Sequence, residues 1–501
     1  MGKILPISVI CCILLILAGI NRGFDFSDEG LYVLLADPMQ SNVSGIFNYD
    51  LFFKFIHRFS GYTFSLVELR FFRLLTYLAG AWALTGFWKN ISGEQKWSSK
   101  AFWISCLGIF AGYGFLPPTL SYNSLVVVLA CYWLKLVSEQ KPVWSNRIYL
   151  GCILALFAYI KISLVLIFIP MTLWVMLIWK KDHLSRAAFL FLPFLFLEFL
   201  FYSVIGESAF TRLLDGIPMN SQRPTYQFKL IIRSVLVGGL WMVLSSGLFF
   251  SLGHFWPKKN PIRFVFLAVG ACGFFIITYQ THITDEWNHL LLLGSAAVLG
   301  FYIGHRGIGI IYENPWAVFL IFLPLILHFG SNVYWLRIGI HYWVFWILAF
   351  CLLSQSNQSY LPYSISPLVF ILVFNGIWWH PFEQEKPLWA EKTAWISQSN
   401  KVLYLDPEQV KVIEEIKKWG EERGSEELLA AYRIPGMVWL AGFRLPFSPG
   451  YWEKAQLDAF FETKPKEMIY CNLENLPENW TFEHSTDLGQ FQGNSLFLLW
   501  D

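Results

Sequence analysis

Three acidic side chains, Asp25, Asp28 and Glu29, lie close together just beyond the first apolar stretch of the chain, residues 4–20. A carboxylate in such a position can take the proton of an attacking hydroxyl group, which is general-base catalysis. A structural explanation is equally consistent with the spacing. In it, Ser27 caps a short amphipathic helix, and Asp28 and Glu29 interact favourably with the amino-terminal end of the helix dipole.

A second acidic pair, Asp285 and Glu286, has His282 and His289 on either side. Thr284 precedes this pair, and capping of the following apolar helix is the favoured interpretation here. A single histidine next to an apolar stretch is more often hydrogen-bonded at the membrane interface than bound to a metal. No cofactor and no metal ligand are therefore assigned, although a divalent metal stays open as a weak hypothesis.

Several cationic residues lie where apolar stretches begin or end. Lys161 interrupts the apolar residues 148–179, a stretch barely long enough for two spans. A charge at the bilayer centre costs about 2.5 to 3.5 kcal/mol, so we expect Lys161 at the outer end of a tight hairpin, facing a polar cavity or an anion. Snorkelling to the headgroups is the alternative. Snorkelling also explains Arg70, Arg73 and Arg337 individually, and only their convergence with Lys161 suggests a phosphate site.

The composition indicates that most of the chain is embedded in a lipid bilayer. Hydrophobic residues make up 55% of the 501 positions and charged residues only 14%, against about 25% charged residues in an ordinary soluble domain. The net charge of +2 does not suggest a nucleic-acid partner. Apolar segments predict an α-helical polytopic membrane protein with about thirteen helices, near 4–20, 67–88, 101–116, 120–137, 148–160, 162–179, 186–205, 230–250, 263–279, 288–304, 315–329, 337–353 and 362–379.

Basic residues predict which loops face the cytoplasm. Five alternating loops contain Lys89, Lys96, Lys100, Lys141, Arg147, Lys180, Lys181, Arg186, Lys258, Lys259, Arg263 and Arg306. This assignment places the amino terminus inside and gathers residues 21–66, 115–123, 206–229, 281–289 and 329–337, with the Lys161 turn, at the outer face. The sixth inner loop, SQSNQSYLPY, has no basic residue, so the last two spans are the least defined.

The composition changes to a charged, mixed type near residue 381. Hydrophobic periodicity predicts a helix at 407–423 and strands at 401–405 and 495–500. We therefore expect two domains, a membrane domain at 1–380 and a small soluble α/β domain at 381–501 outside the membrane. No Gly-rich phosphate loop supports a nucleotide site.

The motifs SDEGLY at 27–32 and VELRFFRLL at 67–75 resemble the C-type glycosyltransferase fold (GT-C). This multispanning group includes protein O-mannosyltransferases and lipid A aminoarabinose transferases. PPTLSYNSL at 117–125, the Lys161 turn and FGSN at 329–332 are softer similarities, and together the resemblance covers most of residues 1–380. The chain departs from the aminoarabinose transferases, which have an arginine soon after the acidic pair.

The resemblance implies that Asp28 is the catalytic carboxylate, with Glu29 beside it, and that the donor is a sugar linked to a polyprenyl phosphate. In such chemistry a carboxylate accepts the proton of the acceptor hydroxyl, and cations stabilise the departing phosphate. We assign the remaining candidate residues by position: Lys161, Arg70 and Arg337 to the donor phosphate, and Tyr122, Asn123, His282 and Asp285 to the sugar and acceptor pocket.

The sequence thus predicts a hexosyl- or pentosyltransferase of the cell envelope, in the plasma (bacterial inner) membrane, surrounded by membrane lipids. Its acceptor would be a lipid, a glycan or a protein, at the outer face. A transporter or flippase of lipid-linked saccharides is the main alternative, although no internal repeat typical of transporters is visible. A non-catalytic scaffold or a glycan ligase of the same fold also remains open.

Overall fold

The computed structural model describes residues 3–43, 46–92, 96–139, 144–179, 184–221, 223–255, 261–354, 360–397 and 400–501. The chain forms two compact units. The first unit comprises Met1–Cys12, Gly80–Phe115 and Phe228–Leu372, and the second unit comprises Ile13–Ala79, Leu116–Gln227 and Val373–Asp501. The basic residues Lys141, Lys180, Lys181, Lys258 and Lys259, used above to predict orientation, lie outside the described residues.

The α-helices are numbered in chain order. They are α1 (Ile4–Ala18), α2 (Asp28–Ala36), α3 (Asp50–Ser60), α4 (Leu66–Ser92), α5 (Ser99–Phe110), α6 (Tyr122–Ser138), α7 (Trp144–Ile160), α8 (Ile162–Trp174), α9 (Leu192–Ile205), α10 (Ala209–Ser221), α11 (Phe228–Phe255), α12 (Pro261–Gln280), α13 (Trp287–Arg306), α14 (Gly309–Glu313), α15 (Pro315–His328), α16 (Trp335–Ile338), α17 (Trp343–Ser354), α18 (Leu361–Phe374), α19 (Pro407–Arg423), α20 (Pro435–Ala441) and α21 (Lys454–Phe460).

Among the described residues, five helical stretches are long and apolar enough to cross a membrane: Ala187–Ile205, Phe228–Phe255, Trp287–Arg306, Trp335–Ser354 and Leu361–Trp379. Six shorter apolar helices accompany them: Ile4–Ala18, Tyr122–Ser138, Trp144–Ile160, Ile162–Ile178, Leu267–Gln280 and Pro315–His328. The prediction of a helical membrane protein is confirmed at this level. The count of about thirteen spans is not confirmed, because several predicted segments form helices that are shorter than a bilayer requires.

Helices α11 and α13 of the first unit are in close contact along a seam of small residues. A Cβ atom at Gly300 would lie 2.1 Å from the carbonyl oxygen of Ser246, and one at Gly304 would lie 2.0 Å from that of Phe250. Hydrophobic attraction between helices is absent in lipid, so close backbone packing of this kind is what holds them together. A larger residue at either glycine would separate the two helices.

The carboxyl-terminal region contains the predicted helix and strands. Asp406 caps α19 by accepting a hydrogen bond from the N–H of Glu408 (2.8 Å), and Gly424 ends the helix in the left-handed conformation. Strands β1 (Thr393–Ile396) and β2 (Val402–Leu405) form an antiparallel pair. A four-stranded sheet has the order β3-β4-β6-β5, with β3 parallel to β4 and the other pairs antiparallel; these strands are β3 (Leu429–Ala431), β4 (Glu467–Cys471), β5 (His484–Phe491) and β6 (Asn494–Trp500).

This carboxyl-terminal region shares one hydrophobic core with the first loop, and both belong to the second unit. Phe24 and Phe26 pack in the same buried cluster as Tyr432 and Met437. The side-chain amide of Gln40 also exchanges two hydrogen bonds, of 2.7 and 3.1 Å, with the backbone of residue 445. The compact units therefore divide the chain differently from the boundary expected near residue 380.

Candidate functional site

The amino terminus of α2 is capped by Asp25. Its Oδ1 accepts a hydrogen bond from the N–H of Ser27 (2.9 Å), and its Oδ2 accepts one from the N–H of Glu29 (3.0 Å). The Ser27 side chain makes no capping bond, so the expectation that Ser27 caps this helix is wrong. Asp25 takes this role because an aspartate carboxylate readily accepts a hydrogen bond from the backbone N–H two residues further along the chain, which here belongs to Ser27. Both carboxylate oxygens of Asp25 are thus used by the backbone.

Glu29 forms a buried ion pair with Arg70 of α4, with side-chain exposures of 0% and 1%. The guanidinium donates from Nε to Oε1 (2.9 Å) and from Nη2 to Oε2 (2.7 Å). Its remaining three N–H groups donate to the carbonyl oxygens of residues 20, 22 and 23, at 2.7 to 3.0 Å. The Thr119 hydroxyl also donates to Glu29. Both residues were predicted to act on substrate, but every N–H of Arg70 already has an acceptor and Glu29 is enclosed, so the pair fixes α2 to α4.

Asp28 differs from both neighbouring acids. Its side chain is half-buried, and within the described part of the chain its carboxylate accepts no hydrogen bond. Burial raises the pKa of Asp28 to about 7, the negative charge of Glu383 adds to this increase, and the positive charge of Arg433 opposes it. A carboxyl group with a pKa close to neutral pH is suited to accept a proton from a substrate.

Three tyrosines surround Asp28 closely enough to respond to its charge. Burial raises the pKa values of Tyr32, Tyr49 and Tyr226, and the negative charge of Asp28 raises each of them further. The buried hydroxyl groups of Tyr32 and Tyr49 have no hydrogen-bond partner within the described residues. Because unsatisfied buried hydroxyls are costly, these two groups are candidates for hydrogen bonds to a bound molecule.

Tyr122, predicted to line the pocket, lies next to this group. Its ring stacks on Phe47, with centroids 4.3 Å apart, and meets the ring of Tyr32 edge-on at 6.1 Å. Asn123 follows it in the first turn of α6 and is buried. The Ser121 side chain caps this helix, so the orientation of its first turn is fixed.

Lys161 separates α7 from α8, which end and begin at the adjacent residues. The predicted interruption of the apolar stretch at this lysine is confirmed, and the side chain is 7% exposed. The N–H of Asn48 donates to the carbonyl oxygen of Tyr159 at 2.8 Å. Segment 48–50, which includes Tyr49, therefore lies against the hairpin that contains Lys161.

Two arginines that the sequence analysis did not single out hold this region in place. Arg212 donates from Nη1 to both carboxylate oxygens of Asp50, at 2.8 and 2.9 Å. Arg223 donates to Glu453 of the carboxyl-terminal region at 3.1 Å and lies over the ring of Tyr226 at 4.5 Å. These contacts attach α10 and the segment after it to the surroundings of Asp28.

The second acidic motif lies in the first unit, where its members bind one another. Nδ1 of His282 is 2.9 Å from the Asp285 carboxylate, and His282 is 81% exposed. Arg337 forms an ion pair with Glu286 at 2.9 Å. Helix α13 begins at Trp287 without a side-chain capping bond, so the capping expected there is not found. His282, Asp285 and Arg337 belong to the first unit, and Asp28 belongs to the second.

Sequence reasoning could have identified Tyr32, because residues four positions apart lie on the same face of a helix and Asp28 begins α2. Tyr49 lies in the predicted first outer loop, and its distance along the chain from Asp28 gives no indication that the two side chains are close. Glu383 and Arg433 are more than 350 positions away in the chain, and neither belongs to a motif. Only the fold brings their charges to Asp28.

Among the described residues, no group of three or more His, Cys, Asp or Glu side chains is arranged to hold a metal ion. No family model, curated protein or solved structure matches the chain.

Proposed function

We propose that the chain is a membrane glycosyltransferase that transfers a sugar from a polyprenyl-phosphate donor to an acceptor hydroxyl, with Asp28 as the general base. The hydroxyl oxygen attacks the anomeric carbon of the sugar. The bond between that carbon and the phosphate oxygen breaks, and its electron pair stays on the phosphate. Asp28 takes the proton of the hydroxyl. The products are the glycosylated acceptor and the polyprenyl phosphate.

The state of Asp28 is the observation that carries this proposal. Asp25 uses both carboxylate oxygens for capping, and Glu29 is enclosed by Arg70 and Thr119. Asp28 alone of the three has free carboxylate oxygens within the described structure, and its pKa is raised to about 7. A carboxyl group with this pKa is partly ionised at neutral pH, and its ionised form is basic enough to accept a proton from a hydroxyl group.

The surroundings of Asp28 support a polyhydroxylated substrate. A sugar presents hydroxyl groups that both donate and accept hydrogen bonds, and the buried hydroxyls of Tyr32 and Tyr49 lack partners within the described residues. An apolar substrate would leave these hydroxyls unsatisfied, at a cost of about 1 to 3 kcal/mol each. The aromatic faces of Tyr122 and Phe47 add an apolar wall of the kind that sugar rings contact.

The test is turnover of lipid-linked sugars by the full-length protein in lipid vesicles. The assay measures release of polyprenyl phosphate from a panel of polyprenyl-phosphate sugars in the presence of hydroxyl acceptors. Asp28→Asn should reduce release about 100 to 10,000-fold. Asp37→Asn is the matched control, because Asp37 ends the same helix and the substitution removes the same charge.

Two results would contradict the proposal. One is release by the Asp28→Asn protein at a rate close to that of the parent. The other is movement of the intact lipid-linked saccharide across the vesicle membrane with no cleavage of the sugar–phosphate bond, which would favour a transporter.

A further inference from the structure

The first turn of α20, in the carboxyl-terminal region, is held backbone to backbone against the first turn of α2. The N–H of Gly436 donates to the carbonyl oxygen of Phe26 at 2.8 Å. A Cβ atom at Gly30 would lie 2.3 Å from the nitrogen of Gly436, so no larger residue fits there without a shift of the backbone. Asp28 is two residues before Gly30, and Arg433 is three residues before Gly436. The contact therefore brings the segments that carry these two charges side by side.

Arg433 is held in an uncommon backbone conformation next to this contact. Its φ angle is +60°, in the left-handed region that residues other than glycine rarely adopt. Its N–H donates to the carbonyl oxygen of Tyr451 at 3.0 Å, which helps to fix that conformation. Strained conformations of this kind are frequent at ligand-binding positions. The surrounding fold thus maintains the strained backbone conformation at Arg433.

The guanidinium of Arg433 is available for a ligand. Its side chain is exposed, and it forms no hydrogen bond or ion pair within the described residues. Its charge nevertheless lowers the pKa of Asp28, against the increase caused by burial and by Glu383. The cation is therefore within electrostatic reach of Asp28 without being neutralised by it.

We propose that Arg433 binds the phosphate of the lipid-linked donor, so that the carboxyl-terminal region completes the site that begins at Asp28. This inference rests on the proposed function. A phosphate that enters near Asp28 meets the carboxylates of Asp28 and Glu383, so it needs a cation next to it. When the bond between sugar and phosphate breaks, the guanidinium stabilises the negative charge left on the phosphate oxygen, and no proton leaves Arg433.

Other arginines are already engaged by protein groups. Arg70 donates all five N–H groups, and Arg73 donates to Tyr77 and to the carbonyl oxygen of Pro117. Arg223 is paired with Glu453. Each of these arginines would have to give up a protein partner to bind a phosphate, whereas the Arg433 guanidinium has no such partner among the described residues.

The experiment measures equilibrium binding of farnesyl phosphate to the purified full-length protein in detergent, with farnesol as the uncharged comparison. Arg433→Asn is the main variant, because asparagine tolerates a left-handed backbone better than most residues and removes the cation. Arg433→Lys keeps the charge but loses the planar fork. Arg423→Asn is the control in the same region, since Arg423 lies over the rings of Trp419 and Trp500.

Arg433→Asn should weaken farnesyl phosphate binding about 10 to 100-fold, as expected for a lost hydrogen bond between charged groups, and leave farnesol binding unchanged. Arg433→Lys should bind with intermediate affinity, and Arg423→Asn like the parent. Competition by excess phosphatidylglycerol with equal effectiveness would identify a general lipid-headgroup contact and overturn the donor site.

Binding of farnesyl phosphate by Arg433→Asn with parental affinity would also overturn the inference. Should that variant fail to fold, Arg433→Gln decides in its place, because a second neutral side chain with parental affinity would remove any need for a cation at this position. Asp28→Asn distinguishes this failure from failure of the proposed function. It should lose turnover yet bind farnesyl phosphate at least as tightly as the parent, because it lacks a negative charge near the phosphate.

Discussion

Replacement of Asp28 by asparagine should stabilise the folded protein above neutral pH while it reduces turnover about 100 to 10,000-fold. The pKa of Asp28 is raised from 3.8 to about 7, first by burial and then by the charge of Glu383. At 1.36 kcal/mol per pKa unit, this rise corresponds to a destabilisation of at most about 4 kcal/mol once the carboxylate is ionised. Partial access to solvent makes the true value smaller. Asparagine has nearly the same shape and carries no charge.

The sign of the pH dependence follows from the two pKa values. Below pH 4, Asp28 is protonated in both the folded and the unfolded protein and contributes no difference in stability. Between pH 4 and pH 7 only the unfolded chain loses its proton, so the folded state is progressively disfavoured. Above pH 7 the full cost is present. Asp28→Asn should therefore melt above the parent at alkaline pH, and the difference should disappear as the pH falls toward 4.

Thermal unfolding in detergent, monitored by tryptophan fluorescence, measures this difference over a series of pH values. Asp37→Asn serves again as the control, since the asparagine oxygen can accept the hydrogen bond that Asp37 accepts from the N–H of Met39 (2.9 Å), and its stability should stay close to that of the parent. Turnover by the parent should rise with pH through about 7 and then level, as a base must be ionised to act. A melting difference that does not change with pH, together with a flat pH profile of turnover, would refute a buried base at Asp28.

Three further outcomes are expected. Lys161→Met should weaken binding of farnesyl phosphate, since a buried cation within an apolar stretch is expected to have a functional partner, and unchanged affinity would return Lys161 to the snorkelling explanation. A cysteine at Ser425 should react with an impermeant reagent in intact cells, and protection from it would reverse the predicted outer location of the carboxyl-terminal region. Gly30→Ala should cost about 1 to 3 kcal/mol of stability through overpacking against Gly436. Gly294→Ala, where the new Cβ meets no other described part of the chain within 4 Å beyond its own helix, should not destabilise; equal melting of the two variants would contradict the close contact at Gly30.

Helices and strands were largely predictable because their signals are local. Apolar runs mark the helices, and Lys161 divides one of these runs where α7 ends and α8 begins. Asp406 and Gly424 bound the helix predicted at 407–423. The number of spans was not predictable by the same means, because an apolar run does not reveal whether its helix reaches across a bilayer or ends early against protein.

The site was only partly predictable, because its charges come from distant parts of the chain. Asp28 was a candidate because of its position next to Glu29 and because of the family resemblance, while its spacing alone was equally consistent with helix capping. Arg70 was also singled out, but its role depends on which groups surround it, and the carbonyl oxygens of residues 20, 22 and 23 became visible only in the fold. Arg433 carries no local signal, since its nearness to Asp28 arises from the contact between α2 and α20.

The three consecutive residues Asp28, Glu29 and Gly30 illustrate how one short motif can meet three different demands. Successive side chains on a helix point about 100° apart, so three neighbours cannot face the same partner. Glu29 pairs with Arg70 and holds α2 to α4, while Gly30 allows α20 to approach within backbone contact. The charge of Asp28, in contrast, raises the pKa values of Tyr32 and Tyr49. Because the two neighbours fix the helix on both sides, the Asp28 carboxylate is held in position although it accepts no hydrogen bond from the described residues, and this leaves its oxygens available to a bound group.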